Sequence, residues 1–173
     1  MRHLGLPTAQ FSKTFTPDDA LDSGHPAVAR FARAADMPAL VELDRVCFAA
    51  RAWSPAAWRE VVTEPEWTVV VIARADLVVA ASVLLPAAPV THLASLAVHP
   101  RWRRRGVGRE LLADAITRAR AASARWLALE VDRDNPGAIS LYRRDGFAVV
   151  RRFLEDGRWR QEMVRRLGGR YGV

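Results

Sequence analysis

The sequence predicts an α+β domain in which helices flank a mixed, mostly antiparallel central sheet, with elements in the order βααβββαβαββ. Three β-rich runs follow one another on connectors too short to hold a helix, which makes them antiparallel neighbours. Two amphipathic helical segments then bracket a buried-type strand. A final pair of strand-like runs flanks Glu155-Asp156-Gly157-Arg158, a hairpin signal.

Residues 1–25 show no sustained period and hold Pro7, Thr16-Pro17-Asp18-Asp19 and Asp22-Ser23-Gly24. They read as a flexible extension ahead of a folded domain over 26–168 and a short tail over 169–173. Ala27 to Arg33 alternates like a strand, and Asp36 then offers an N-cap to a helix bearing Met37, Leu40, Leu43 and Cys47. Ser54-Pro55 opens a second, shorter helix, with Ser54 as cap and Pro55 in the first turn, where its missing N–H costs nothing. The three β-rich runs are Trp67 to Ala73, Leu77 to Leu85 and Thr91 to Val98, joined through Asp76 and through Pro86 to Pro89. After Gly108, the residues Leu111, Leu112, Ala115, Ile116 and Ala119 line one helical face. Trp126 to Val131 is the buried-type strand, and Asn135-Pro136 repeats the pairing of cap and first-turn proline. That helix ends at Gly146, and Phe147 to Phe153 and Trp159 to Val164 form the hairpin.

At 173 residues with 50% apolar content, the chain fits one domain with a substantial core. Its longest apolar stretches, such as Leu77 to Leu85, fall far short of the roughly 20 residues that span a bilayer. Met1 to Ser23 lacks the apolar core of a signal peptide, so a soluble cytoplasmic protein without membrane contact is expected. The lone cysteine, Cys47, excludes an internal disulfide and a cysteine-rich metal site; it reads as core, and no metal is expected. The net charge is +7, yet Lys13 is the only lysine, so the bulk charge reflects an arginine- and alanine-rich composition. Its densest run, Arg101, Arg103, Arg104, Arg105 and Arg109, favours a polyanionic ligand. No exposed aromatics beyond Trp102 interleave with it, which argues against nucleic acid.

The chemistry concentrates between Leu93 and Phe147. A strand over Ala94 to Val98 runs through His99-Pro100 into Arg103-Arg104-Arg105-Gly106-Val107-Gly108, which opens a helix. Gly106 and Gly108 remove Cβ atoms that would hold a ligand off the backbone, and the free amides of a helix start bind phosphate. This is neither a nucleotide-triphosphate loop, since Arg109 and Glu110 follow, nor a dinucleotide fingerprint, which needs a third glycine. Glu130, inside an apolar strand, is a candidate base whose burial would raise its pKa, or else an edge carboxylate paired with an arginine. Tyr142 lies four residues from Ala138 on one helical face. His92 and His99 have no metal-ligand partner at i+4 and read as structural or exposed.

The set Leu96-Ala97-Val98-His99-Pro100, Arg103-x-x-Gly106-x-Gly108, Leu129-Glu130-Val131, Asn135, Ala138, Leu141-Tyr142 and Gly146-Phe147 resembles the Gcn5-related N-acetyltransferases. It looks most like the bacterial ribosomal-protein alanine N-acetyltransferases, over about residues 27 to 166. The Phe48 to Trp58 segment also looks like that subfamily's first helix-loop-helix, where the peptide enters. The resemblance implies an acyl-CoA N-acyltransferase fold with acetyl-CoA as co-substrate. Its pantetheine arm would lie along Leu96, Ala97 and Val98. Its pyrophosphate would rest on Arg103, Arg104, Arg105, Gly106, Val107 and Gly108, and Asn135 would bond to the coenzyme. It further implies Glu130 as base and Tyr142 as the acid that protonates the leaving thiolate, during direct attack by an amine in a ternary complex. The acceptor would be a protein N-terminal α-amine, with a small amine or a lysine as the alternative, and the enzyme a monomer or homodimer. A non-catalytic acyl-CoA sensor would share the fold. One departure concerns the acceptor: Phe153-Leu154 stand where the peptide N-terminal acetyltransferases usually carry tyrosines.

Overall fold

The computed structural model describes residues 28–74 and 77–168. Its elements are β1 (Val28–Phe31), α1 (Met37–Phe48), α2 (Pro55–Thr63), β2 (Thr68–Arg74), β3 (Leu77–Ala87), β4 (Val90–Val98), α3 (Val107–Ala121), β5 (Trp126–Asp132), α4 (Pro136–Arg144), β6 (Ala148–Glu155) and β7 (Arg158–Arg166). This is the order expected from the sequence. The extension over 1–25, the tail over 169–173 and the connector at Asp76 lie outside the described residues. Among the described residues, no helix is long and apolar enough to cross a membrane.

The strands form one sheet in the order β1-β2-β3-β4-β5-β7-β6. Every neighbouring pair is antiparallel except β4 and β5, whose parallel pairing needs a crossover that α3 supplies. Val69 and Val71 point to one face and Val70 and Ile72 to the other, so β2 is apolar without alternation because both its sides are covered. On the first face, α1 and α2 bring Leu40, Leu43, Trp58 and Val61 onto β2, β3 and β4, in a cluster that includes no residue of β5, β7 or β6. On the second face, α3 and α4 cover Leu127, Leu129, Val131 and Met163. The β5–β7–β6 half is therefore helix-covered on one side only.

Local chemistry explains most boundaries. Ser54 Oγ accepts the Ala57 N–H and Asn135 Oδ1 accepts the Ala138 N–H, each at 3.1 Å, as caps at these positions should. At the hairpin, Asp156 and Gly157 both adopt positive φ (48° and 73°), the type I′ geometry that matches strand twist. Asp36 departs from expectation and does not cap α1. A single 3₁₀ turn, Ala34–Asp36, precedes α1, and Asp36 Oδ2 caps that turn from behind by accepting the Arg33 N–H at 2.7 Å. Its two oxygens also take both terminal nitrogens of Arg30, at 2.7 and 2.8 Å, and the Arg30 guanidinium holds its carboxyl below the usual range. A bidentate, charge-assisted partner outcompetes a helix amide for a short carboxylate.

Candidate active site

The parallel pairing of β4 with β5 is brief. It runs from Val90↔Trp126 to Leu93↔Leu129 and stops. The cause lies on the other edge of β4, where Val83 pairs with Ser95 and Leu84 with Leu93, which leaves Ala94 as an extra residue. A bulge bends the strand that carries it, and here it swings Ser95–Val98 away from β5. Beyond Leu129, β5 keeps only β7 as a partner.

Register fixes what the open edge offers. His99 N–H donates to Val79 O at 2.9 Å and Ala97 lies opposite Ala81, so the backbone groups of Ala97 belong to β3. By alternation, those of Leu96 and Val98 face the gap. Of the three residues expected along the pantetheine arm, Ala97 thus contributes a buried side chain but no free backbone group. The Val98 carbonyl is engaged as well, accepting from Arg103 Nε at 3.0 Å and from Cys47 Sγ at 3.4 Å. That Cys47 lies beside this edge was not foreseen. Burial pushes its thiol pKa up, so it stays a protonated donor.

From Val98 the chain turns through His99, whose Nδ1 accepts the Arg101 N–H at 3.3 Å, and a single 3₁₀ turn, Pro100–Trp102, that buries Trp102. Burial and the neighbouring Arg101 and Arg103 lower the His99 pKa, in keeping with a structural, neutral imidazole. Arg104 and Gly106 then adopt left-handed φ values of 61° and 85°. A Cβ on Gly106 would meet nothing within 4 Å, so its glycine is required by backbone conformation. At Gly108 a Cβ would lie 3.6 Å from both Val98 and Leu141, which fixes the meeting point of the β4 end, the α3 start and α4. Gly106 O accepts the N–H groups of Arg109 and Glu110, at 2.9 and 3.0 Å. The amides of Val107 and Gly108 head the helix without an intrahelical acceptor. The three arginines divide: Arg103 folds back onto Val98, Arg105 lies over the Trp102 ring at 5.6 Å, and Arg104 is exposed.

Glu130 and Tyr142 flank the gap from opposite sides. Glu130 is the first β5 residue without a β4 partner, and it projects to the helix-free face. It is not buried as expected: its side chain is 40% exposed and lies 3.1 Å from Arg160 and 3.8 Å from Arg151. Arg151 also pairs with Glu162 at 3.0 Å, and Arg160 with Glu155. Two residues along β5, buried Asp132 takes Arg51 from the turn between α1 and α2, while its Oδ1 lies 3.4 Å from Arg160 Nε without a hydrogen bond. Glu130 is thus an edge carboxylate paired with arginines, because β7 and β6 set Arg160, Glu162 and Arg151 on its face. Alternation of charges along Arg158-Trp159-Arg160-Gln161-Glu162 was the available signal for this ladder. Phe153 joins it, under Arg151 at 4.4 Å.

Tyr142, on α4, reaches the other side of β5. It is 7% exposed, packs on Phe147 with ring centroids 5.7 Å apart, and belongs to the cluster holding Leu129 and Val131. Its hydroxyl has no hydrogen-bond partner among the described residues. Burial pushes its pKa up to about 12, so it holds its proton throughout the neutral range. Asn135 spends its side-chain oxygen on the α4 cap and keeps its NH₂ group for another partner.

Residues 37–147 match the model of the acetyltransferase (GNAT) family. Among solved structures, the chain resembles the ribosomal-protein-S18-alanine N-acetyltransferase of Escherichia coli, with a TM-score of 0.76 and 20% identity over 86% of this chain and 99% of that one. It also resembles Ard1 of Thermoplasma volcanium, with a TM-score of 0.73 and 22% identity over 81% and 97% of the two chains. A third is Arabidopsis thaliana NAA60 in complex with a bisubstrate analogue, with a TM-score of 0.71 and 18% identity over 82% and 99%. In sequence, 61 residues are 38% identical to the mycothiol acetyltransferase of Nocardiopsis dassonvillei, a stretch covering 35% of this chain and only 18% of that relative.

Proposed function

The chain belongs to the GNAT family of acetyltransferases, and on that premise we propose that it transfers the acetyl group of acetyl-CoA to a protein N-terminal α-amine in the cytoplasm. The observation that carries the reading is the gap between β4 and β5, which leads at one end to the left-handed Gly106 turn and is flanked by Glu130 and Tyr142. Its fit to the coenzyme is chemical. Leu96 and Val98 offer backbone groups to an amide-bearing arm, and the Val107 and Gly108 amides, with Arg104 beside them, suit a pyrophosphate. Acetyl-CoA supplies the activated acyl group.

The chain's own residues divide the remaining work. The amine enters from the Glu130 face, and Glu130, directly or through water, takes the proton released as nitrogen bonds to the acetyl carbon. The C–S bond breaks, and the sulfur takes a proton from the Tyr142 hydroxyl on the opposite side. The neutral fraction of the acceptor favours an α-amine. At pH 7 roughly one α-amine in ten is neutral, against near one lysine in two thousand. The hairpin residue Phe153 favours a second reading, a small amine acceptor, because it brings no hydroxyl to hold a peptide backbone.

Thiol release from acetyl-CoA, measured against peptides with free or blocked N-termini, lysine peptides and small amines, separates these readings. Turnover confined to free N-termini is expected. Equal turnover of blocked peptides through lysine overturns the acceptor, and acetyl-CoA binding without turnover on any amine overturns the catalytic reading in favour of a sensor.

A further inference from the structure

Several arginines of the β5–β7–β6 half of the sheet differ in their partners from one face to the other. On the Glu130 face, Arg151, Arg158 and Arg160 each pair with a carboxylate. On the opposite face, Arg152 of β6 stands across from Gln161 of β7, and both line a cavity of about 460 Å³ together with Arg133, Arg143 and Arg144. Among the described residues, none of these four guanidiniums pairs with a carboxylate; Arg144 Nε donates to the Ser140 carbonyl at 3.2 Å. Among the described residues, no acidic side chain lines the cavity. Like charges around one concavity repel one another and focus a positive field into it, a cost that a bound anion reverses. Planar guanidiniums, which take two oxygens at once, suit phosphate oxygens in particular.

Two further features narrow the ligand. Gln161 is 4% exposed, and among the described residues its amide nitrogen reaches only the Met163 sulfur, at 3.6 Å, leaving hydrogen-bonding capacity at the cavity wall. Beyond Gln161 and Arg152, the same face continues to Trp159 and Leu154, cross-strand partners that are 54% and 59% exposed. An exposed indole beside an arginine-lined pocket matches a ligand that joins phosphates to an aromatic ring. The volume is that of a small-molecule site. The cavity is also distinct from the cleft: Leu141, which lies against Gly108, and Arg143 are two residues apart on α4 and so point roughly 160° away from each other.

We propose that this cavity is a second ligand site, separate from the acetyl-transfer cleft, that holds the phosphates of a free nucleoside polyphosphate among Arg133, Arg143, Arg144 and Arg152 with its base against Trp159. Titration calorimetry of the full chain with ATP, inorganic tripolyphosphate and a short oligouridylate tests it. Saturable one-to-one ATP binding is expected. The double variant Arg143→Glu, Arg152→Glu should weaken it by about tenfold or more, as loss of charge-assisted contacts does. Trp159→Ala should weaken ATP and leave tripolyphosphate unchanged. Neither variant should alter the KM for acetyl-CoA, whereas Arg104→Glu should raise that KM and spare ATP binding. Failure of the acetyl-transfer reading would leave these ATP results untouched, and the reverse also holds.

Absence of saturable ATP binding, unchanged affinity in a double variant of normal Tm, or ATP binding that Arg104→Glu abolishes would each overturn the site. Tighter binding of oligouridylate than of ATP would replace it with an RNA surface. If the glutamate pair does not fold, the glutamine pair at the same positions carries the same expectation.

Discussion

Replacing Tyr142 by phenylalanine removes one oxygen from a residue that is 7% exposed and leaves its ring against Phe147. Among the described residues the hydroxyl has no hydrogen-bond partner, so its loss breaks none of their hydrogen bonds; removal of a buried, unpaired polar group is near neutral for stability. For a chain of this length Tm should stay within about 3 °C of the parent. Catalysis should respond very differently. A positioned general acid contributes about 10²- to 10⁴-fold, or roughly 2.7–5.5 kcal/mol of barrier. The expectation is therefore a fall in kcat of at least about a hundredfold, with an unchanged KM for acetyl-CoA, read as thiol release at saturating amine. With its pKa at about 12, the parent's Tyr142 should contribute no alkaline limb below that value, so Tyr142→Phe should lower the pH–rate profile without reshaping it. A kcat within threefold of the parent, or a loss matched by an equal loss of folded protein, refutes the acid role.

Glu130→Gln should slow turnover, while Tm barely moves because exposed ion pairs are worth about 0–1 kcal/mol; turnover equal to the parent's would end its assignment as base. Gly106→Ala forces a Cβ into φ 85° in open space, so chemical denaturation should show a loss of about 1–2 kcal/mol, and the KM for acetyl-CoA should rise with the distorted helix start. Asp36→Asn should destabilise the protein by about 2 kcal/mol at pH 7 by ending the bidentate Arg30 pair. Because the folded pKa of Asp36 lies below its unfolded value, that stabilisation is present above about pH 4 and is lost as pH falls through the folded value. The gap between parent and variant should close in acid; a constant gap from pH 7 to pH 2 would exclude the ion pair as its source.

Features governed by a few neighbouring residues were legible in the sequence. Ser54 and Asn135 cap as their hydroxyl and amide oxygens dictate, and Asp156-Gly157 turns as its tolerance of positive φ allows. Reading failed where a distant partner competed. Asp36 is drawn from α1 by Arg30, which precedes it on β1. Glu130 sits in a run of apolar residues that suggests burial, yet its surroundings come from Arg160 and Arg151 on β7 and β6, and no pattern local to β5 reports them. The same holds for Ala97. Its neighbours announce an edge, but which backbone groups face that edge depends on a bulge that appears only once Val83 and Leu84 are paired.

That bulge has a consequence for how freely the sequence can drift. Hydrogen bonds offered by the main chain of Leu96 and Val98 do not depend on which side chains those positions carry. An open edge written in backbone survives almost any substitution that preserves the one extra residue at Ala94. Deletion of Ala94 alone would change more of the edge than replacing both of its neighbours, since it removes the bend that turns Ser95–Val98 away from β5 while leaving their β3 partners in place.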